Sequence, residues 1–167
     1  MRDDPGAVPD LDAQLFETSF RVRFHEVDAL GHVNNSAYLN YLEQAAIDHA
    51  LLLGLTLDRL RDLGGVFVAR RHDIVFLKPS YAGDLLRVIT WLDQPRRVRV
   101  TRHYAVYRES AAPPVIPVPG RLTRGGEIHT KGAPVVQATT EWVFAGENGQ
   151  PRRIPDEVAR LFRTVSP

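Results

Sequence analysis

Residues 25–35 read HEVDALGHVNN and place two histidines, two acids and two asparagines within eleven positions. Side chains of these types support three kinds of chemistry. His25, Asp28 and His32, spaced H-x2-D-x3-H, are ligand types for zinc or iron. Gly31 argues for a turn rather than a helix here, and no HExxH pair accompanies them. A second reading is structural: Asp28 closes an Asx-type turn, Gly31 takes a positive φ, and an asparagine caps the following helix. The third is catalytic. A helix N-terminus offers unpaired N–H groups and the positive end of a dipole, which suits a developing oxyanion. Asp28 beside it can act as general base toward water or attack an acyl carbon. His32 or Asn34 can orient the aspartate, the water or the carbonyl, and the N–H groups of Asn35 and Ser36 can form an oxyanion hole. That arrangement suits acyl transfer. A thioester fits it because its carbonyl is activated and its thiolate leaves readily.

The elements around the stretch decide how it is held. Phe16, Thr18, Phe20, Val22 and Phe24 alternate with Glu17, Ser19, Arg21 and Arg23, the period of a half-buried strand. From about Ser36 to Leu53, Tyr38, Tyr41, Leu42, Ala45, His49, Leu52 and Leu53 recur at helical spacing. Leu39, Ala46, Ile47, Ala50 and Leu51 add apolar surface on the other sides, which predicts a helix surrounded by protein. Asn34, Asn35 or Ser36 can supply its N-cap, and Gly54 its stop. A weaker helical turn follows through Leu57 to Leu63. Strands are predicted over Val66 to Leu77, Leu85 to Leu92, Val98 to Val106 and Val135 to Ala145, with a short helix from about Asp156. Residues 109–132 are rich in proline and glycine and too long for a tight hairpin, so they are expected to form an exposed loop. The apolar face of an antiparallel sheet has to be covered, and one long apolar helix is on offer. The reading is α+β: an antiparallel five-stranded sheet curled around one central helix, in the order β-α-β-β-β-β.

The 167 residues suit one domain, expected over 16–167 behind a loose tail of residues 1–15. With no cysteine, disulfides, thiolate metal sites and a cysteine nucleophile are excluded. A formal charge of +1 gives no general pull toward nucleic acid. No apolar run is long enough for a membrane span, and the acidic, proline-containing start is unlike a signal peptide. A cytoplasmic location is the expectation.

The stretch VRFHEVDALGHVNNSAYLNYLEQA closely resembles the signature of hotdog-fold thioesterases of the 4-hydroxybenzoyl-CoA thioesterase superfamily. The matching residues are Asp28, Gly31, His32, Val33, Asn34, Asn35, Tyr38, Tyr41 and Glu43. FLKPSYAGDLLRV and GQPRRIPDEV resemble later parts of the same family. The resemblance implies the hotdog fold and hydrolysis of acyl-CoA, or sometimes acyl-carrier protein, by a homodimer or homotetramer with sites between subunits. Non-catalytic acyl-CoA binding is the remaining alternative. No cofactor is expected, coenzyme A being part of substrate and product, and the residues and composition read above give no metal, nucleic-acid or membrane partner. Asp28 falls on the family's catalytic carboxylate, and His32 matches a histidine of plant acyl-carrier-protein thioesterases. Where those enzymes carry an asparagine two residues after the aspartate, this chain has Leu30. A family arginine after the helix glutamate is also replaced, in Glu43-Gln44-Ala45-Ala46.

Around this centre, Tyr38, Tyr41 and Leu42, with Phe67 and Val68 on the following strand, are candidates to line an acyl pocket. Glu43 reads as a buried, hydrogen-bonded structural carboxylate, and His49 as a satisfied core or interface histidine. Coenzyme A carries phosphates onto which arginine can fork, so Arg70, Arg71, Arg121 and Arg124, with Lys131, are candidates to bind it.

Overall fold

The computed structural model describes residues 14–109, 120–124 and 132–163. Strand β1 (Gln14–Arg21) leads through a 3-10 turn, Phe24–Glu26, to helix α1 (Asn35–Leu52) and the short α2 (Leu57–Asp62). Strands β2 (Val66–Phe76), β3 (Leu85–Leu92), β4 (Arg99–Glu109), β5 (Arg121–Arg124) and β6 (Val136–Ala145) follow, and α3 (Asp156–Arg163) closes the described chain. All pairings are antiparallel, and the sheet runs β2-β6-β4-β3-β1-β5. This is the expected α+β architecture with α1 laid across the sheet.

Two boundaries differ from the sequence reading. The sheet has six strands rather than five, because residues 121–124, expected within the 109–132 loop, pair with β1. Four residues are too few to show an alternation. Gly120 leads into β5 because any Cβ there would overlap the Phe16 ring. At the other end, β1 starts inside the predicted tail, with Leu15 fully buried and paired with Thr123.

The core between helix and sheet joins Tyr38, Tyr41, Leu42 and Ala45 of α1 to Val88, Tyr104, Val106 and Val136. A second cluster closes the C-terminal end of α1, where Leu55, Leu60, Val100, Phe144, Ile154 and Val158 pack together. A third lies on the other sheet face, with Leu15, Ile89, Ala105 and Tyr107. Because that face is covered near β1, Glu17 and Ser19 are buried rather than exposed as the alternation suggested. Arg121 and Arg87 compensate the Glu17 carboxylate, Arg87 at 3.5 Å.

The helix is less enclosed than predicted. Asn40, Glu43, Gln44, Ile47 and Leu51 are exposed. Glu43 follows Leu42 by one position, about 100° around the helix from that buried side chain, and so leaves the packed stripe. Its expected burial is corrected. No helix among the described residues is long and apolar enough to cross a membrane.

His49 sits in the packed stripe, stacked on Phe16 at 5.1 Å. Arg102 donates from Nη1 to His49 Nδ1 at 3.0 Å and to Thr90 Oγ1 at 3.2 Å. The histidine is only half satisfied, since its Nε2 is buried without a described partner. Burial, and then the Arg102 charge, hold its pKa down at about 3, against 6.5 ordinarily. Between those values the unfolded chain holds a proton that the folded chain refuses. The neutral ring's contribution is therefore complete above pH 6.5 and lost as pH falls toward 3. The limiting slope for one proton is about 1.4 kcal/mol per pH unit. Urea unfolding of wild type and His49→Gln, whose amide oxygen keeps an acceptor for Arg102, checks this. Wild type is expected to lose stability more steeply than the variant between about pH 6 and pH 4, and parallel slopes contradict the assignment.

Candidate active site

The junction between β1 and α1 is closed by its own hydrogen bonds. Val27 and Val33 face each other as an isolated antiparallel bridge. Inside it, Asp28 N–H donates to the His32 carbonyl at 2.8 Å and Gly31 N–H to the Asp28 carbonyl at 3.0 Å. Asp28 Oδ1 accepts from the N–H groups of Leu30, at 2.8 Å, and His32, at 3.1 Å. Gly31 has φ +77°, a conformation that favours glycine. The structural reading of the stretch is thus realised. Asp28 Oδ2, however, has no hydrogen-bond partner among the described residues, and the side chain is exposed.

The loop is tied down on both sides. Val33 N–H donates to the Ser80 carbonyl at 2.8 Å, and His32 bridges Tyr81. The half-buried His32 ring meets the Tyr81 ring edge-on at 5.5 Å. Asn34 N–H donates to the Glu26 carbonyl at 2.8 Å. Its side-chain Oδ1 accepts from Ser36 N–H at 2.9 Å and from the Ser36 hydroxyl at 2.7 Å. Of the three cap candidates, Asn34 is the N-cap. Capping removes Ser36 N–H from the expected oxyanion hole. Asn35 N–H stays without an acceptor among the described residues.

Beside the junction lies an open cavity of about 1070 Å³, lined by Arg23, Glu26, Asn34, Ser36, Tyr41 and Gln44 among others. Asp28 lies outside its lining. Glu26, which had no assigned role, is its fixed acid: Oε2 accepts from the Tyr41 hydroxyl at 2.5 Å and from Arg23 N–H at 2.6 Å. Burial first, and then the bond to Glu26, raise the Tyr41 pKa, so the phenol stays protonated. The signal for Glu26 was its place in the opening stretch, two residues before Asp28.

The expected acyl pocket does not assemble. Tyr38, Tyr41 and Leu42 are buried in the core at the Asp28 end of α1. Phe67 packs on Phe144 at 5.2 Å and Phe162 at 5.7 Å, at the far end, while Val68 points away and is exposed. The reason is α2, which delivers the start of β2 beside the end of α1. It is Phe76, at the other end of β2, that meets Tyr38, at 5.6 Å.

The arginines proposed for coenzyme A do not cluster either. Arg70 and Arg71 lie on β2 and Arg121 and Arg124 on β5, the two opposite edges of the sheet. Five strand spacings, about 24 Å measured along the sheet, lie between them. Arg71 pairs with Asp73 at 2.8 Å, Arg121 with Glu17. Lys131 lies outside the described residues. Among those described, no three His, Asp or Glu side chains are grouped so as to hold a metal ion, and His25 is exposed.

A family model described as "Thioesterase-like superfamily" matches residues 22–162, from the end of β1 through α3. The chain belongs to that superfamily. A protein of Aquifex aeolicus is 32% identical over 92 residues, 55% of this chain and 72% of its own length. The chloroplastic acyl-acyl carrier protein thioesterase ATL3 of Arabidopsis thaliana is 22% identical over 108 residues, 65% of this chain and 57% of its own. Among solved structures, the 1,4-dihydroxy-2-naphthoyl-CoA thioesterase of Synechocystis superposes with TM-score 0.70 at 16% identity, over 90% of this chain and 96% of that one. That likeness shows the shared hotdog fold.

The cap has a measurable consequence. Asn34→Ala removes the acceptor for two Ser36 donors and is expected to lower stability by about 1 kcal/mol, whereas Asn34→Asp holds it within a few tenths. Thermal or urea unfolding of both variants reads the difference.

Proposed function

We propose that this protein is a thioester hydrolase acting on acyl-CoA. The observation that carries this reading is the division of labour on Asp28. One carboxylate oxygen is fixed by two backbone N–H groups, while the other is unbonded, in the loop that leads into a helix whose Asn35 N–H has no acceptor among the described residues. In the reaction, water adds to the thioester carbonyl and passes a proton to Asp28 Oδ2. The oxyanion forms near the helix start, where Asn35 N–H is free to receive it. Its collapse breaks the C–S bond and releases the coenzyme A thiolate. The proton on Asp28 returns to the thiolate or to solvent, leaving the acid and free coenzyme A. The same oxygen can instead attack the carbonyl, with water then cleaving the anhydride. His32 and Asn34 position the loop rather than the proton, through the turn and the cap.

A single chain leaves Asp28 exposed, beside a groove that it does not line. We infer that the working form is a homodimer or homotetramer in which a second copy completes the acyl pocket. Strand β2 favours this: it is an edge strand of 11 residues, and Val68, Val75, Phe76 and Leu77 at that edge are exposed. Long apolar edges of this kind pair with other chains unless blocked. Light scattering is expected to give a mass of two or four chains, and Val75→Lys to shift it toward one. A wild-type monomer contradicts the assembly.

The resemblance to the plant carrier-protein enzyme keeps one other substrate in view, the same acyl group on acyl-carrier protein. Thiol release from a panel of acyl-CoA esters, with matched acyl-carrier-protein substrates alongside, separates the two. Release is expected from acyl-CoA, falling by about 100-fold or more in Asp28→Asn. Faster release from the carrier protein would move the substrate, and none from any thioester would leave a binding domain.

A further inference from the structure

Arg102 occupies an inward position on β4, between Val100 and Tyr104, and is 4% exposed. The acceptors described for its guanidinium are neutral, His49 Nδ1 and Thr90 Oγ1, and both bond Nη1. No carboxylate among the described residues pairs with it. A guanidinium carries five N–H donors and remains charged, so this group keeps donors on Nε and Nη2 to offer. An unpaired buried cation is costly, and the usual remedy is an anion in contact with it.

Arg102 also lines a cavity of about 340 Å³ whose remaining walls are apolar, including Ala50, Leu60, Phe67, Val100 and Phe162. That volume falls at the low end of ligand pockets, about 300–1,000 Å³. The cavity shares no lining residue with the groove at the Asp28 junction. Along α1 the lining of the groove ends at Gln44 and that of the cavity begins at Ala46.

We propose that this cavity is a second ligand site, which takes a medium-chain aliphatic carboxylate with its carboxylate on Arg102 and its chain against the apolar walls. Charge complementarity selects the occupant: an apolar cavity alone would take any oily molecule, but a buried guanidinium with no carboxylate paired to it among the described residues asks for an anion. His49 cannot serve as that counter-ion, because it stays neutral and accepts from Arg102. The site does not depend on the thioester reading, and holds whatever is turned over at Asp28.

Calorimetric titration of the full chain at neutral pH with decanoate, decanol and acetate tests it. Decanoate is expected to bind once per chain, decanol roughly ten-fold or more weakly, and acetate without measurable heat. Arg102→Met should make decanoate and decanol equal, and Phe67→Trp, which fills the cavity, should abolish both. The proposal is overturned if wild type binds decanoate no better than decanol, or if Arg102→Met keeps the preference. Unchanged decanoate binding by Phe67→Trp also overturns it, and that arm stands even where Arg102→Met does not fold.

Discussion

Everything functional in this molecule hangs on how one strand becomes one helix within about a dozen residues. Leaving β1, the chain must reverse and present the first turn of α1 to the sheet, which strands backbone donors at both ends of the bend. The loop resolves this locally. Asp28 Oδ1 takes two donors, Asn34 Oδ1 takes another two, and the Glu26 and Ser80 carbonyls take the backbone N–H groups of Asn34 and Val33. Because those bonds fix the loop against α1 and the segment before β3, the unbonded oxygen of Asp28 is held by backbone rather than by a free side-chain rotor. Preorganisation of this kind is what an acyl-transfer site needs, since it places charge without reorganisation during reaction.

From that junction α1 imposes a polarity on the whole fold. Its start meets the polar groove with Glu26 and Tyr41, its middle fills the aromatic and aliphatic core, and its end covers a second, apolar cavity closed by α2 and α3. The His49 and Arg102 pair lies between the two ends. A neutral imidazole accepts from a buried guanidinium: burial first, and then the charge, keep the ring unprotonated, and the unprotonated ring gives the charge an acceptor. The inward surface of the sheet is therefore not uniformly oily, and the buried guanidinium of Arg102 is the group on it proposed to recognise an anion.

Much of this was legible in the chain. The period-two run of β1, the strands expected at β3, β4 and β6, the helical spacing from Tyr38 to His49, and the turn chemistry of Asp28, Gly31 and Asn34 all speak through local patterns, and they landed within a few residues. What was not legible needed long-range partners. β5 is four residues without alternation and exists because β1 offers an edge. Phe67 was assigned to the wrong end of the helix, since its neighbours are set by α2 rather than by its distance from Asp28 in sequence. Glu43 leaves the packed stripe by one position, and Arg70 with Arg71 and Arg121 with Arg124 look like clusters only along the chain. Arg102 had a signal that went unread, a charge on the inward side of an alternating strand.

On the proposed mechanism the two oxygens of Asp28 have separate jobs, one folding the turn and the other meeting substrate. Melting temperature and acyl-CoA turnover measured together on Asp28→Asn and Asp28→Ala test it most directly. Asn keeps an acceptor for Leu30 and His32 but has no basic oxygen, so its stability should stay near wild type while turnover collapses. Ala lacks both, and should lose stability as well as turnover. Turnover retained by a fully folded Asp28→Asn would contradict the claim.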